Sequence, residues 1–233
     1  MESIDKVNGT FDKKASEIKT DVPTAVIKRL PRYHRCLGDL IRDGQLRISS
    51  AELARIMGVT ASQIRQDLNC FGGFGQQGYG YNIKFLHNKI SELLGVKEGF
   101  NAVIVGAGNL GRALAATHMF ERRGVNRLAL FDVNPELVGK KIYGVPVYHT
   151  NDLYNFCTSN GVHIGVLTVP KEAAAEVVET LVSAGIKGIW NFANMELKLH
   201  TPDVIVENIH LGDSLMTLCY EIKTKNSTGD ENV

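Results

Sequence analysis

Apolar residues first recur at helical spacing after a charged stretch, residues 1–22, which we expect to form a mobile tail. Between Thr24 and the Asp43-Gly44 stop signal, the apolar positions keep a roughly helical register: Ile27, Leu30, Leu37, Leu40 and Ile41. This spacing predicts a first helix. Pro31 leaves open whether that helix is continuous or divided into two segments.

Two short helical segments follow a brief extended piece, at 51–57 and 61–69, with a tight turn at Gly58 between them. Each is preceded by the pattern of a capping box, in which two residues satisfy each other's unpaired backbone N–H groups. The pairs are Ser49 with Glu52 and Thr60 with Gln63. Two short helices joined in this way predict a helix-turn-helix, the alternative being an ordinary helical cap.

Glycines alternate with aromatic residues at 71–81, which favours a small β-ribbon or wing, and an amphipathic helix is predicted at about 83–94. The predicted winged-helix domain is 23–95. Residues 23–90 carry ten Lys and Arg against four Asp and Glu, whereas residues 91–233 carry 12 against 16. The whole-chain net charge of +1 therefore combines a basic module with an acidic one.

The pattern changes at Phe100, where short apolar runs begin to alternate with helical segments. The predicted strands are 101–105, 128–131, 164–169, 188–192 and 204–206, and the predicted helices between them are 109–123, 152–159 and 172–184. This alternation predicts an α/β domain over 96–210, with a doubly wound parallel sheet of Rossmann type. A last helix at 211–224 and a disordered tail at 225–233 complete the predicted organisation.

The composition argues against several classes of protein. No apolar run approaches the roughly 18 residues of a membrane span, and the N-terminus lacks the apolar core of a secretory signal. The four cysteines are widely spaced and the seven histidines include no H-E-x-x-H, so we expect neither disulfides nor a metal site. We expect a cytoplasmic protein with reduced thiols.

A G-x-G-x-x-G motif follows the first strand of the second domain and opens a helix: Gly106, Ala107, Gly108, Asn109, Leu110 and Gly111. Gly106 would make the tight turn, Gly108 would let the backbone approach a pyrophosphate, and Gly111 would let helix and sheet pack closely. Asp132, at the end of the second strand, would accept hydrogen bonds from the ribose and favour NAD(H) over NADP(H). The alternatives are a vestigial nucleotide fold or another adenine ligand such as coenzyme A.

The catalytic groups of a dehydrogenase are not evident in the sequence, so we assign no catalytic residue. No Tyr-x-x-x-Lys occurs. His163 begins an apolar strand and His118 follows the phosphate loop on a predicted helix surface, so both are expected to be structural. A nucleotide-binding module joined to a basic helix-turn-helix indicates a sensor, with an NAD-dependent oxidoreductase or a coenzyme-A-type interaction module as alternatives.

The second helix of the helix-turn-helix supplies candidate contacts to DNA. Glutamine pairs with adenine, and arginine with guanine or a phosphate; the residues there are Ser62, Gln63, Arg65 and Gln66. Three arginines of the first helix would contact phosphates: Arg29, Arg32 and Arg35. The remaining candidates lie at the first cap and in the wing: Ser49, Gln77, Gly78 and Tyr79.

Motifs of one known family occur in order along the chain, from about residue 22 to 223. They are Ile48-Ser-Ser-Ala-Glu-Leu53, Val59-Thr-Ala-Ser-Gln-Ile-Arg65, the glycines and aromatics of 71–81, Val105-Gly-Ala-Gly-Asn-Leu-Gly-Arg112, Phe131-Asp-Val-Asn-Pro135, Thr168-Val-Pro170, Gly185-Ile-Lys-Gly-Ile189, Asn191-Phe-Ala193 and Val206-Glu-Asn208. In this joint order the chain resembles the Rex redox-sensing transcriptional repressors.

The resemblance implies a homodimer in which each subunit has a winged helix, a Rossmann domain and a C-terminal helix swapped onto its partner. It implies binding to a palindromic double-stranded DNA operator when NADH is low, and release when NADH rises. By position, Thr168, Val169 and Pro170 would line the cofactor cleft, and Phe192 would lie beside the nicotinamide. No membrane or metal partner is implied.

The chain departs from the family's pattern at six positions. Basic residues are usual where Gln66, Gln76 and Gln77 stand, and each lost phosphate contact predicts weaker, less salt-dependent DNA binding. The other three departures are Thr117 in place of Tyr, Asn194 in place of Pro and His210 in place of Asp. These last three departures predict either that the protein distinguishes NADH from NAD⁺ less sharply than is usual in the family, or that it is a divergent paralogue.

Overall fold

In the computed structural model the described residues are 22–71, 75–76, 80–199 and 201–229. Residues 1–21, which make up nearly all of the predicted tail, lie outside them. So do Gln77, Gly78 and Tyr79 of the wing and residues 230–233. The chain divides into two compact units, with the boundary between Gly95 and Val96.

The described residues of the first unit form four helices and a three-stranded antiparallel sheet. The helices are α1 (Thr24–Arg42), α2 (Ser50–Met57), α3 (Ala61–Asn69) and α4 (Ile83–Leu93). The strands are β1 (Arg47–Ile48), β2 (Gly75–Gln76) and β3 (Gly80–Asn82), in the order β1-β3-β2. This arrangement is a helix-turn-helix followed by a small wing, as predicted.

One apolar face of each helix builds the core of this unit. Leu30, Tyr33 and Leu37 of α1 pack with Leu53 of α2 and Ile64 of α3, and all five are buried. The helix α1 passes through Pro31 without a break, although proline cannot donate a backbone hydrogen bond there. The predicted first helix is therefore continuous.

The two predicted capping boxes differ in the structure. At α2 the box is complete: the Ser49 hydroxyl accepts from the Glu52 N–H, and the Glu52 carboxylate accepts from the Ser49 N–H. At α3 only half of it forms, because the Thr60 hydroxyl accepts from the Gln63 N–H while the Gln63 side chain points elsewhere. The prediction of a second full box was wrong.

The second unit is a seven-stranded sheet covered by helices. Its strands are β4 (Phe100–Val105), β5 (Val125–Asp132), β6 (Lys141–Ile142), β7 (Val145–His149), β8 (Ile164–Leu167), β9 (Gly188–Asn191) and β10 (Ile205–Asn208). Its helices are α5 (Asn109–Ala116), α6 (Leu153–Ser159), α7 (Lys171–Ser183) and α8 (Leu211–Gly229), with 3₁₀ turns at Glu121–Arg123 and Thr150–Asp152.

The strand order is β10-β9-β8-β4-β5-β7-β6, and every pair is parallel except β6 with β7. The chain therefore builds outward from β4 in one direction and from β8 in the other. The switch point lies between β4 and β8, where ligands bind in doubly wound sheets. The predicted α/β fold class is confirmed.

Three element predictions need correction. The helix predicted to reach Arg123 ends at Ala116, where Thr117 is extended. The strand β7 was not predicted, because Pro146 interrupts its apolar run. The last helix continues to Gly229, so residues 225–229 are helical and do not belong to a disordered tail. No helix in the described part of the chain is long and apolar enough to span a membrane.

Candidate nucleotide cleft and DNA-facing helix

The glycine motif forms a tight turn between β4 and α5. Gly106 has φ 102°, a conformation that favours glycine, and an added Cβ would lie 2.7 Å from the Thr168 carbonyl oxygen. At Gly111 a Cβ would lie 1.9 Å from the Gly106 carbonyl oxygen. Both positions therefore exclude any side chain, and the roles predicted for these two glycines agree with the geometry.

The N-terminus of α5 presents its backbone N–H groups at this turn. Gly108 is the N-cap, and no described side chain caps the helix. An added Cβ at Gly108 would find nothing within 4 Å, so the fold leaves this side of the loop open. Unsatisfied N–H groups together with the positive end of a helix dipole favour an anion. Asn109 and Leu110 belong to this first turn.

Asp132 lies at the carboxyl end of β5 and holds the glycine loop directly. Its Oδ2 accepts from the Ala107 N–H at 2.6 Å, and its Oδ1 accepts from the Asn134 N–H at 2.9 Å. A carboxylate has about four acceptor sites, so Asp132 retains capacity for further donors. Its ribose contact remains a prediction.

Thr168, Val169 and Pro170 follow β8 on the other side of the switch point. The Thr168 hydroxyl lies 2.7 Å from the Gly106 carbonyl oxygen and 3.0 Å from that of Val105, and so ties the two strand ends together. Pro170 is the N-cap of α7, where its missing N–H costs nothing.

A cavity of about 920 Å³ opens at this switch point. Seven of the residues predicted for the cofactor line it: Gly106, Gly108, Asp132, Thr168, Val169, Pro170 and Phe192. The other four residues predicted for the cofactor belong to the glycine motif and do not line the cavity: Ala107, Asn109, Leu110 and Gly111. The volume lies near the upper end of the range for small-molecule and cofactor sites, roughly 300–1,000 Å³.

Sequence reasoning missed one wall of this cavity. Val133, His149, Thr150, Asn151 and Tyr154 also line it. Most of them follow β7, the strand that the pattern did not predict, so its carboxyl end was not expected at the site. The sequence does contain a pattern that indicates this strand. It is the short apolar run of Val145, Val147 and Tyr148, within the strand that pairs with β5 in the structure.

A buried amide network fixes the loop that carries Phe192. Asn191 is 1% exposed, and its side chain donates to Asn208 Oδ1 at 2.7 Å and to the Met195 carbonyl while accepting from the Ala193 N–H. The Phe192 ring packs edge-on against Trp190, with centroids 4.7 Å apart. These contacts hold the apolar ring of Phe192 at the wall of the cavity.

The helix α3 exposes most of its predicted DNA-facing residues. Ser62, Arg65 and Gln66 are exposed, and Arg65 Nη1 donates to Ser50 Oγ at 3.1 Å. Gln63 is half-buried, and its Nε2 donates to Asp67 Oδ1 at 2.8 Å. Ser49 is engaged in the cap of α2. Their DNA contacts remain predictions.

The arginines predicted to contact phosphates occupy different environments. Arg29 makes a two-pronged ion pair with Asp67, at 2.8 and 2.6 Å, and the hydrogen bond raises the pKa of Arg29. The Arg32 guanidinium donates to the Met57 carbonyl. Both side chains therefore serve contacts within the unit, whereas Arg35 is exposed. The sequence pattern did not distinguish these uses.

The remaining candidates have structural surroundings. His163 Nδ1 accepts from the Asn101 N–H at 3.1 Å, and its ring packs edge-on against Phe100. His118 is exposed beyond the end of α5. In the described ranges no group of three or more His, Cys, Asp or Glu side chains is placed to hold a metal ion.

Two family models match the chain. "Putative DNA-binding protein N-terminus" covers residues 21–69, and "CoA binding domain" covers residues 97–195. The redox-sensing transcriptional repressor Rex of Caldanaerobacter subterraneus subsp. tengcongensis is 52% identical over 88% of this chain and 91% of its own length. The Rex of Clostridioides difficile is 52% identical over 87% and 96%.

The chain belongs to the Rex family of redox-sensing transcriptional repressors.

Solved Rex-family structures match most of the chain. A crystal structure of RSP in complex with β-NAD⁺ and operator DNA has 50% identity and a TM-score of 0.83, covering 91% of this chain and 97% of that chain. A second, of RSP with β-NADH, has 47% identity and a TM-score of 0.83, covering 92% and 100%. These relatives are repressors, which disfavours the oxidoreductase alternative.

The three residues that depart from the Rex pattern near the cleft have defined surroundings. Asn194 lines the cavity. The Thr117 hydroxyl donates to the Leu114 carbonyl at 2.9 Å. His210 Nε2 lies 3.1 Å from Glu196 Oε2, immediately before α8. The side chains of Thr117 and His210 therefore have hydrogen-bond partners within their own unit, and the Asn194 side chain is exposed.

Proposed function

We propose that this protein is a transcriptional repressor that senses the NADH/NAD⁺ ratio. It binds a palindromic operator as a homodimer and leaves it when NADH binds. One observation carries this proposal: about 50% identity, over nine tenths of the chain, to a repressor solved with β-NAD⁺ and operator DNA. Its site of action would be the cytoplasm.

NAD(H) fits the residues of the cleft. Gly106 and Gly111 exclude side chains from the turn, and Gly108 leaves it open, so backbone N–H groups of α5 face the space where a pyrophosphate would lie. Asp132, at the end of the neighbouring strand, accepts from the Ala107 N–H of the glycine turn and would also accept from ribose hydroxyls. A carboxylate there repels the extra phosphate of NADP(H). This acid favours NAD(H) over the coenzyme-A alternative.

Preference for the reduced cofactor follows from charge and burial. The oxidised nicotinamide ring is cationic and the reduced ring is neutral. Phe192 lines the cavity and its ring packs against Trp190. An apolar surrounding disfavours a cation by desolvation. The protein therefore needs no covalent step to distinguish the two forms.

Switching requires that NADH bind the DNA-incompetent arrangement of the dimer more tightly than the competent one. A shift from 1:99 to 99:1 needs about 5.5 kcal/mol of differential binding. Two cofactor sites in a homodimer would share that requirement.

The helix α8 supplies the surface for dimerisation. Four apolar side chains recur on one face at spacings of four, three and four residues, and all are exposed: Leu211, Leu215, Leu218 and Ile222. Such a stripe on a helix requires an apolar partner. We assign that partner to a second copy of this chain, through exchange of α8 between subunits.

Fluorescence anisotropy on a labelled duplex tests the proposal. The first probe is the operator of the solved relative, titrated with full-length protein at two salt concentrations and then with NADH or NAD⁺. We expect binding that weakens with salt and is reversed by NADH at lower concentration than by NAD⁺. Operator binding that NADH leaves unchanged would refute the sensor function.

A further inference from the structure

A buried carboxylate lies in the middle of α3. Asp67 is 1% exposed and accepts four hydrogen bonds. Arg29 donates from Nε at 2.8 Å and from Nη2 at 2.6 Å, and the Tyr33 hydroxyl donates at 2.9 Å. The fourth donor is Gln63 Nε2, at 2.8 Å, one helical turn earlier on α3 itself. These four bonds fill the acceptor capacity of a carboxylate.

The charge of Asp67 determines which end of the Gln63 amide faces it. Burial raises the pKa of Asp67, but hydrogen bonds from Arg29, Gln63 and Tyr33 outweigh it and hold that pKa below its ordinary value. An ionised carboxylate only accepts hydrogen bonds, so Gln63 must present its NH₂ group to Asp67. The carbonyl oxygen of the amide is thereby turned away.

The remaining hydrogen-bonding groups of Gln63 are its carbonyl oxygen and one N–H. Gln63 is the third residue of α3 and lies beside the exposed Ser62. Residues near the N-terminus of the second helix in a helix-turn-helix reach base edges in the major groove. An acceptor and a donor side by side match the N6 amino group and N7 of adenine. Guanine presents two acceptors at the same edge, and one of them would face the Gln63 carbonyl.

We infer that Asp67 is a positioning residue that orients the Gln63 amide so that α3 selects adenine at one base pair of each half-site. This inference rests on the proposed function, since it requires that α3 enter the major groove. In a glutamine whose amide has no fixed partner, the amide oxygen and nitrogen exchange places by rotation about the last side-chain bond. Asp67 removes that freedom before DNA is bound.

Only the bond from Gln63 joins the recognition surface to this acid. Arg29 and Tyr33 belong to α1 and attach α3 to the core. A variant at Gln63 leaves Asp67 with three donors, so the fold is expected to survive while the recognition changes. The structural and recognition roles of the cluster are therefore separable.

The test is selection from a library of duplexes that carry two inverted, randomised half-sites, with full-length protein. We expect the wild-type protein to enrich adenine over guanine at one position of each half-site by about tenfold. Gln63→Met should abolish that preference and leave the others. Asp67→Asn should admit guanine at the same position, because the introduced amide can also donate to the Gln63 carbonyl. Asn69→Ala, an exposed change later on α3, serves as the matched control.

The outcomes separate the inference from the proposed function. If the wild-type protein enriches no sequence, the proposed function itself fails. If it enriches a site but Gln63→Met keeps every preference, or Asp67→Asn keeps guanine excluded, the inference is wrong. Thermal unfolding of each variant identifies a loss that comes from misfolding.

A measurement on the wild-type protein keeps the inference testable if Asp67→Asn does not fold. With selective ¹⁵N-glutamine labelling, the Gln63 amide is assigned by its absence in Gln63→Met. We expect one of its two hydrogens to exchange slowly with solvent, and both hydrogens of the exposed Gln66 to exchange fast. Equal, fast exchange at Gln63 and Gln66 would overturn the inference.

Discussion

At the scale of single residues, one buried acid organises the N-terminal unit. The sequence identified Arg29 and Gln63 as candidates for DNA, and the structure brings both to Asp67 together with Tyr33. Local patterns could not predict this, because Arg29 and Asp67 lie 38 residues apart. A different, local contact accompanies the half-formed second capping box: the Gln63 side chain bonds Asp67, four residues later on the same helix, and does not bond its own helix start.

We expect Arg29→Ala to destabilise the protein by about 3 kcal/mol, because it removes two charge-assisted bonds from a buried carboxylate. Arg35→Ala, on the same helix and exposed, should change the free energy of unfolding by less than about 0.5 kcal/mol. Urea unfolding at neutral pH measures both. Equal effects of the two substitutions would show that the ion pair does not stabilise the fold.

At the scale of elements, regular patterns predicted regular structure. The helices of the first unit and the strands β4, β8 and β9 were located from apolar spacing, and the Ser49–Glu52 box marked the start of α2. Errors arose where one residue breaks a pattern without ending the element. Pro146 concealed β7, and with it a wall of the cavity.

Two stacked histidines between α1 and α4 predict a pH dependence. The rings of His34 and His87 are 4.2 Å apart at 28°, and His34 Nε2 lies 2.9 Å from Ser91 Oγ. Burial lowers the pKa of His87, and a hydrogen bond with the Asn88 side chain, which raises it, partly offsets this effect. Among the residues one helical turn from His34 on α1 or from His87 on α4, the ionisable one is Lys84.

Because the pKa of His87 is lower in the folded state than its ordinary value of 6.5, the unfolded state binds more protons as the pH falls through that value. Stability should therefore decrease as the pH falls below 6.5, and His87→Gln should lose less over the same interval. Denaturant titrations at a series of pH values test this, with the exposed His118→Gln as control. Parallel curves for wild-type protein and His87→Gln would contradict the assignment.

The apolar stripe of α8 is an element without a partner in its own unit. Leu218→Asp places a charge in the middle of that stripe, so we expect it to convert dimers into monomers. Sedimentation velocity measures the change. Glu221→Gln, an exposed polar residue on the same helix, should leave the dimer intact. A dimer that survives Leu218→Asp would place the interface elsewhere.

At the scale of the whole molecule, the proposed sensor has two ligands, operator DNA and NADH, and the effect of each on the binding of the other must be reciprocal. If NADH weakens operator affinity by some factor, saturating operator must weaken NADH affinity by the same factor. Titrating NADH with and without operator duplex, at fixed salt, checks this equality. If the two factors differ, the equilibrium includes a further process, such as dissociation of the dimer.

The two glycines of the nucleotide turn separate what the fold requires from what the ligand requires. An added Cβ meets backbone at 1.9 Å in Gly111 and meets nothing within 4 Å in Gly108. In a saturation-mutagenesis screen scored for protein abundance, position 111 should accept glycine alone, whereas position 108 should accept alanine. The same screen scored for the loss of repression when NADH rises should show no response with substitutions at either position. Substitutions at position 108 therefore measure the requirement for cofactor binding separately from the requirement for folding.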